Sequence, residues 1–249
     1  MYLSVIIPAY NEERRIAKTL RAVHEYLKKQ SYEYEILVVS DGSKDATAPL
    51  VKNLGEAIPR LRLIDNKENR GKGFVVRQGM REARGAIRLF MDADNSTSVE
   101  HFEKMKPFFD RGGDVVIGTR DRRDHPEATQ AVSQSFVKRL AGDIGNLIIQ
   151  LLVVPGIWDT QCGFKAFSAK AAEDIFSRAA VNRWAFDVEV LGLARKLGHE
   201  IVVVPVRWVN DPESKVKLSS YIQSLFEVKK IWWRLRKIPN PKHQITNKF

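Results

Sequence analysis

Two carboxylates one residue apart, Asp92 and Asp94, stand directly after the apolar run Ile87-Arg-Leu-Phe-Met91 and before Asn95-Ser-Thr-Ser98. Side chains of like charge this close repel unless a cation lies between them. Their oxygens suit a hard divalent ion, Mg²⁺ or Mn²⁺, of the kind that keeps waters and completes its shell from substrate phosphates. A plainer reading fits the same residues. Asp94, Asn95, Ser96 or Thr97 would cap a helix beginning near Val99, with Glu100 and Glu103 at its positive end. The choice turns on whether other ligand-binding groups converge on the same place.

The elements that must position them follow a regular pattern. Residues 3–7 read as a short strand ended by Pro8, and Asn11-Glu12-Glu13 opens a helix carrying Ile16, Leu20, Val23 and Leu27 on one face. The pattern repeats with a strand at 35–39 ending in Ser40-Asp-Gly-Ser43 and a helix from near Asp45. A strand at 61–64 precedes a loop rich in Asn, Gly and basic residues and a helix over 73–84. A fourth strand at 87–91 leads through the carboxylates into a helix ending near Phe109. Strands alternating with helices of this length predict an α/β domain around a parallel, doubly wound sheet. Ligands of such sheets sit at the carboxyl ends of the strands, so 8–12, 41–43, 69–73 and 92–94 should meet in one crevice.

That crevice has parts suited to a nucleotide. Asp41 could accept from a base N–H or a ribose hydroxyl, and Tyr10 could stack. Gly71 and Gly73 would let backbone approach a phosphate while Arg70, Lys72 or Arg77 supplies charge. Each part also has an ordinary alternative, because Asp-Gly-Ser is a common turn and Gly-Lys-Gly a common loop. Two nucleotide fingerprints are excluded. Val76 stands where G-x-G-x-x-G needs its third glycine, and G-x-x-x-x-G-K-[ST] does not occur.

Past residue 110 the pattern loosens. Residues 114–117 read as a fifth strand ending in Gly118-Thr-Arg-Asp-Arg-Arg123, a cationic cluster placed for a second phosphate. The stretch 128–154 is long and apolar with few charges after Asp143, as expected of a helix lying against a membrane, a partner or the core. Arg183-Trp-Ala-Phe-Asp-Val-Glu189 heads a helix to Leu197, and 201–208 reads as a further strand. Over 218–238, Tyr221, Leu225, Val228, Trp232 and Leu235 recur at helical spacing among Lys229, Lys230, Arg234, Arg236 and Lys237. Such a basic amphipathic helix suits the headgroups of an anionic bilayer, or packs on the domain or on another subunit.

Charge and composition narrow the class. The formal net charge is +11, and residues 214–249 hold nine Lys or Arg against one acid, Glu227. An acidic partner is implied. Nucleic acid is set aside, because the cations lie in a Trp-containing amphipathic tail and not on a recognition element. The expected division is a folded domain over 1–213 and a basic segment over 214–249 suited to a membrane surface. A single cysteine, Cys162, excludes an internal disulfide and a cysteine-rich zinc site and points to a reducing compartment. The first residues read as a strand and not as a signal peptide, and no apolar run reaches membrane-spanning length. Nothing in the pattern fixes an oligomeric state.

Eight segments now stand in order: Val5-Ile-Ile-Pro-Ala-Tyr-Asn-Glu-Glu13, Ser40-Asp-Gly-Ser-Lys-Asp45, Asn69-Arg-Gly-Lys-Gly73, Asp92-Ala-Asp94, Gly118-Thr-Arg120, Asp159-Thr-Gln-Cys-Gly-Phe-Lys165, Arg183-Trp-Ala-Phe-Asp-Val-Glu189 and Ser214-Lys215. In this order the chain resembles the family 2 glycosyltransferases of GT-A fold, and among them the polyprenyl-phosphate glycosyltransferases. The resemblance implies a Rossmann-like, mostly parallel sheet flanked by helices, with the C-terminal basic helix appended. It implies a metal-dependent, inverting hexosyltransferase at the cytoplasmic face of a membrane, peripherally bound. The donor would be a nucleotide sugar, UDP-glucose favoured over GDP-mannose, and the acceptor a dolichyl or other polyprenyl phosphate. Mannosyl transfer, or transfer to a saccharide hydroxyl, is the alternative.

Residue by residue, the resemblance implies that Pro8, Ala9, Tyr10, Glu12 and Asp41 hold the nucleoside, with Lys72 and Gly73 near its ribose or phosphates. Asp92 and Ala93 would face the nucleotide sugar, and Asp94 would bind Mg²⁺ or Mn²⁺. Arg120 would meet the acceptor phosphate or the departing diphosphate, and Lys215 would close over the donor phosphates. Asp187 stands where relatives with hydroxyl acceptors keep their base. Three departures are visible. Ser40 replaces the first of two acids before Gly-Ser, and Ser96 takes a position that is Gln in mannosyl relatives. Gln134-Ser135 lacks the arginine that grips a lipid phosphate, so Ser135 with Lys138 or Arg139 would serve there.

Overall fold

The computed structural model describes residues 1–130, 145–183, 185–209 and 218–239, with 130 and 218–225 described by their backbone. Strand β1 (Leu3–Ala9), helix α1 (Ile16–Leu27), β2 (Tyr34–Asp41), α2 (Thr47–Leu54), β3 (Leu61–Asn66), α3 (Lys72–Glu82) and β4 (Ile87–Met91) alternate as the periodicity predicts. A 3₁₀ turn (Val99–His101) leads into α4 (Phe102–Asp110), then β5 (Val115–Thr119) and the two-residue β6 (Thr129–Gln130). After a helical segment at 145–152 come β7 (Phe164–Ser168), α5 (Ala169–Phe176), α6 (Phe186–Lys196), β8 (Ile201–Pro205), β9 (Arg207–Trp208) and α7 (Leu218–Arg236).

Seven strands form one sheet in the order β3-β2-β1-β4-β7-β5-β8. Alternate residues of β1 feed opposite faces, as the pleat requires. Ile6 joins a core with Val75, Met80, Phe167 and Leu191 on the side of α3, α5 and α6, while Val5 and Ile7 join Ile16, Leu20, Phe102 and Met105 on the side of α1 and α4. β1 does not stop at Pro8, as expected from sequence, but runs to Ala9. Its pairing with β4 ends at Ile6 opposite Phe90, whereas its pairing with β2 continues to Ala9 opposite Ser40. Proline's missing N–H therefore falls where one side of the strand is already open.

The main departure from a parallel sheet is β7, which lies antiparallel between β4 and β5, with Ala166 opposite both Leu89 and Val116. The sheet is mixed but mostly parallel. The reading of 128–154 as one helix is corrected at its start. Thr129–Gln130 pairs in parallel with Arg207–Trp208, and helix is described only at 145–152, since 131–144 lie outside the described residues. The expected strand over 201–208 breaks at Val206, whose N–H bonds the Thr119 carbonyl at 3.0 Å. Helix α7 buries Val228, Ile231 and Leu235 against the α6 side of the core and leaves Phe226 and Trp233 exposed. Among the described residues no helix is long and apolar enough to cross a membrane.

Candidate active site

The carboxyl ends of β1, β2 and β4 point to one edge of the sheet, and β7 enters the same edge from the opposite direction. Asp92 donates its N–H to the Gly163 carbonyl at 3.1 Å, and its Oδ1 lies 2.5 Å from Lys72 Nζ. Gly163 has to be glycine here, because a Cβ at that position would run into the Asp92 carboxylate. Asp94 lies one turn on, its Oδ1 accepting from the Ser96 N–H at 2.9 Å. Neither acid is a helix cap. Ser98 takes that place, accepting from the Glu100 N–H at 3.4 Å. Asn95 adopts φ +55°, and Asn95 Oδ1 and Ser96 Oγ are buried without a hydrogen-bond partner among the described residues.

Those oxygens test the fit of a divalent cation. A carboxylate beside two unpartnered oxygens is an all-oxygen donor set of the hard kind. Among the described residues no three His, Cys, Asp or Glu gather into a closed metal cage. An ion held here would draw the rest of its shell from water and substrate, as Mg²⁺ and Mn²⁺ do.

Lys72 opens α3, and three contacts fix the turn that carries it. Asp41, buried at the end of β2, accepts the N–H groups of Arg70 at 2.8 Å and Gly71 at 2.9 Å. Gly71 holds φ +103°, and the space a Cβ would need is filled by the Asn182 carbonyl. That carbonyl in turn accepts from Phe74 N–H at 3.2 Å. Of the three cations expected to supply phosphate charge, Arg70 lies 3.7 Å over the Phe74 ring and Arg77 bonds Asn182 Oδ1 at 2.7 Å, while Lys72 faces the acids. Burial pulls the Lys72 ammonium down, but Asp92, Asp187 and Asp94 outweigh it and hold the lysine more firmly protonated than usual.

Two further ion pairs close the crevice. Lys165, fully buried on β7, donates to Asp187 Oδ1 at 2.6 Å and to the Cys162 carbonyl at 2.6 Å. Burial, helped by Asp92, raises Asp187 against the pull of Lys165 and Lys72. Arg120 grips Asp159 with Nε and Nη2, at 2.8 and 2.7 Å, and its backbone N–H adds a third bond at 2.8 Å. Burial alone would raise Asp159, but Arg120 overrides it and keeps the carboxyl below its ordinary value. Arg120 also lies 5.3 Å from the centre of the Trp208 ring. Among the described residues, four carboxylates, Asp92, Asp94, Asp159 and Asp187, and three cations, Lys72, Arg120 and Lys165, interact here, for a formal charge of −1. One divalent ion would turn it to +1, the sign that receives a diphosphate.

Asp159, Gly163 and Lys165 carry as much of this geometry as the residues singled out from sequence. Their segment stands out in the sequence, but without an element to place it on. Of the expected nucleoside residues, Pro8 and Ala9 end β1, Tyr10 is 41% exposed beside them, and Glu12 is engaged by Arg15 Nε and Nη2 at 2.7 and 2.8 Å. Gly73 packs under Val181 and Phe186. Lys215, Ser135, Lys138 and Arg139 lie outside the described residues.

Residues 4–176 match the model of the family described as Glycosyl transferase family 2. A dolichyl-phosphate beta-glucosyltransferase of Dictyostelium discoideum is 37% identical over 244 residues, covering 94% of this chain and 75% of the relative. One of Drosophila melanogaster is 37% identical over 246 residues, covering 93% and 74%. Glucosyl-3-phosphoglycerate synthase of Mycobacterium tuberculosis, crystallised with Mn²⁺ and UDP-glucose, shares the fold. Its TM-score is 0.68 at 17% identity, over 96% of this chain and 80% of that one.

Proposed function

This chain belongs to glycosyl transferase family 2, and from that premise we propose that it transfers glucose, with inversion, from UDP-glucose to a dolichyl or other polyprenyl phosphate. The observation that carries the reading is the match to dolichyl-phosphate beta-glucosyltransferases over more than nine-tenths of the chain. The crevice at the strand ends has the chemistry such a reaction needs. Asp41, already bonded to the 70–71 turn, keeps lone pairs for a base or ribose N–H or O–H. Tyr10, next after Ala9, which pairs with Ser40, offers an exposed ring at the same strand ends.

Asp94, with the Asn95 and Ser96 oxygens beside it, would hold Mg²⁺ or Mn²⁺, and bound there the ion would neutralise charge gathering on the leaving diphosphate. Lys72, kept protonated by three carboxylates, adds a fixed positive charge at the same edge. Asp92 and Asp187 face the sugar, Asp187 held in orientation by Lys165. A phosphate monoester is largely ionised near neutral pH, its second pKa being about 6, so it attacks the anomeric carbon without a strong base. Arg120, locked to Asp159, presents its remaining N–H groups to the acceptor phosphate or the departing diphosphate. The acceptor is lipid-borne, and the outer face of α7, with Lys229, Lys230 and Trp233, supports association with an anionic membrane surface.

The test is an assay of the full chain with radiolabelled UDP-glucose or GDP-mannose, Mg²⁺ or Mn²⁺, and a polyprenyl phosphate. Label is expected in the lipid phase from UDP-glucose. Lipid labelled only from GDP-mannose would reassign the sugar, and none from either donor would remove the polyprenyl reading.

A further inference from the structure

Ahead of α6, residues 180–182 form a strap against which the donor edge of the crevice is set. Glu189, buried in the first turn of α6, accepts on Oε2 from the N–H groups of Ala180 at 2.8 Å and Val181 at 2.7 Å. Just beyond, Asn182 receives Phe74 N–H on its carbonyl at 3.2 Å and Arg77 Nη2 on its side-chain oxygen at 2.7 Å. The carbonyls of Val181 and Asn182 occupy the places where Cβ atoms on Gly73 and Gly71 would have to go. Lys72 lies between those two glycines, so the position of the strap decides where the first turn of α3 puts it.

The other oxygen of Glu189 is held from α7. Arg234 donates Nη1 to Oε1 at 2.5 Å and Nη2 to the Arg178 carbonyl at 3.3 Å. Two turns earlier on the same helix, Glu227 accepts the Ala185 N–H at 3.3 Å, two residues before Asp187. Helix α7 therefore bonds to the chain on both sides of the strap. A helix that served only as an anchor would need the buried row Val228, Ile231 and Leu235 but none of these polar ties.

We propose that Arg234 and Glu189 are positioning residues for the donor site: the pair fixes the 180–182 strap, the strap fixes Lys72, and nucleotide affinity depends on α7. The proposal rests on reading the crevice as a nucleotide-sugar site. Its test is calorimetric binding of UDP with Mn²⁺ to the full chain, wild type and Arg234→Ala, with KM for UDP-glucose and kcat measured in parallel. Arg234→Ala is expected to weaken UDP by about tenfold, the scale of a remote coupling. KM should rise with it, and kcat should fall as well, because the displaced Lys72 also supplies charge to the leaving diphosphate. Arg234→Lys should recover most of the affinity. Arg195→Ala, which removes an exposed cation from α6 away from the strap, should bind UDP as wild type does. Should Arg234→Ala not fold, Glu189→Gln, which keeps an acceptor for the strap but loses the charge facing Arg234, reads the same quantity. Unchanged UDP affinity in the folded variants, or an equal loss in Arg195→Ala, overturns the proposal. Wild-type protein that binds no UDP strikes the nucleotide-sugar reading itself, whereas wild-type binding with unaltered variants strikes this inference alone.

Discussion

Asp94 and Asp187 are carboxylates of one crevice whose neighbours give them different work. Asp94 keeps one oxygen off its local turn, beside two unpartnered oxygens, and Asp187 is held by a fully buried lysine. If the first acid gathers charge at the leaving group and the second only orients substrate, their removal should not cost alike. Asp94→Ala is expected to lower kcat/KM by about 10²–10³, the usual loss when one preorganised charge stabiliser goes. Asp187→Asn should cost about tenfold per folded molecule, since an ionised acceptor gains little from a base. Steady-state rates on the two variants, corrected for folded fraction, check this. Equal losses would make Asp187 a base.

At the scale of elements, β7 is the piece that turns a run of α/β units into this crevice, because it brings Gly163 against Asp92 and Lys165 against Asp187. Lys165→Met would leave Asp187 buried without its nearest countercharge, a loss of about 3–5 kcal/mol by the usual cost of halving a buried pair. The double variant Lys165→Met/Asp187→Leu should recover most of that stability and none of the activity. Urea denaturation of the three proteins decides it, and a Lys165→Met protein as stable as wild type would show that the pair does not hold the fold. The four strands and four helices up to Asp110 were legible because each strand is an apolar run and each helix repeats its apolar face at the helical period. β7 was not. It is five residues long with a lysine in its second position, and its antiparallel direction follows from where β4 and β5 leave a gap rather than from its own pattern. Asp41, Asp92 and Asp94 were legible for the same reason the first strands were, standing where apolar runs end, whereas Asp187 was reached only through the resemblance. Their partners Asp159, Gly163 and Lys165 become intelligible only once β7 is in place. The clamp of Asp41 on the 70–71 backbone is likewise a product of tertiary approach.

For the molecule as a whole, most of the large apolar side chains left in water among the described residues belong to two helices. Helix α7 exposes Phe226 at 67% and Trp233 at 58%, and the 145–152 segment exposes Leu147 and Leu151 at 50% and 74%. The two helices share a core, since Leu235 and Val153 both press on Gly192 of α6. Lys229 and Lys230 are exposed on α7 with Phe226 and Trp233, so this helix combines exposed apolar side chains with cations, the combination that anionic headgroups attract. Each such lysine contributes about 1 kcal/mol at a membrane surface, so Lys229→Ala/Lys230→Ala should weaken binding to phosphatidylserine-containing vesicles by roughly thirtyfold. Binding to neutral vesicles should be weak and little altered by the same change. Raising salt to about 1 M, where screening extends over only about 3 Å, should remove most of the preference for anionic lipid but not the share owed to Trp233. Trp233→Ala should show the reverse, losing affinity for both vesicle types at any salt. Flotation of the full chain on the two vesicle compositions separates these terms. Equal binding to both at low salt would mean that the basic charge of α7 faces something other than a lipid surface.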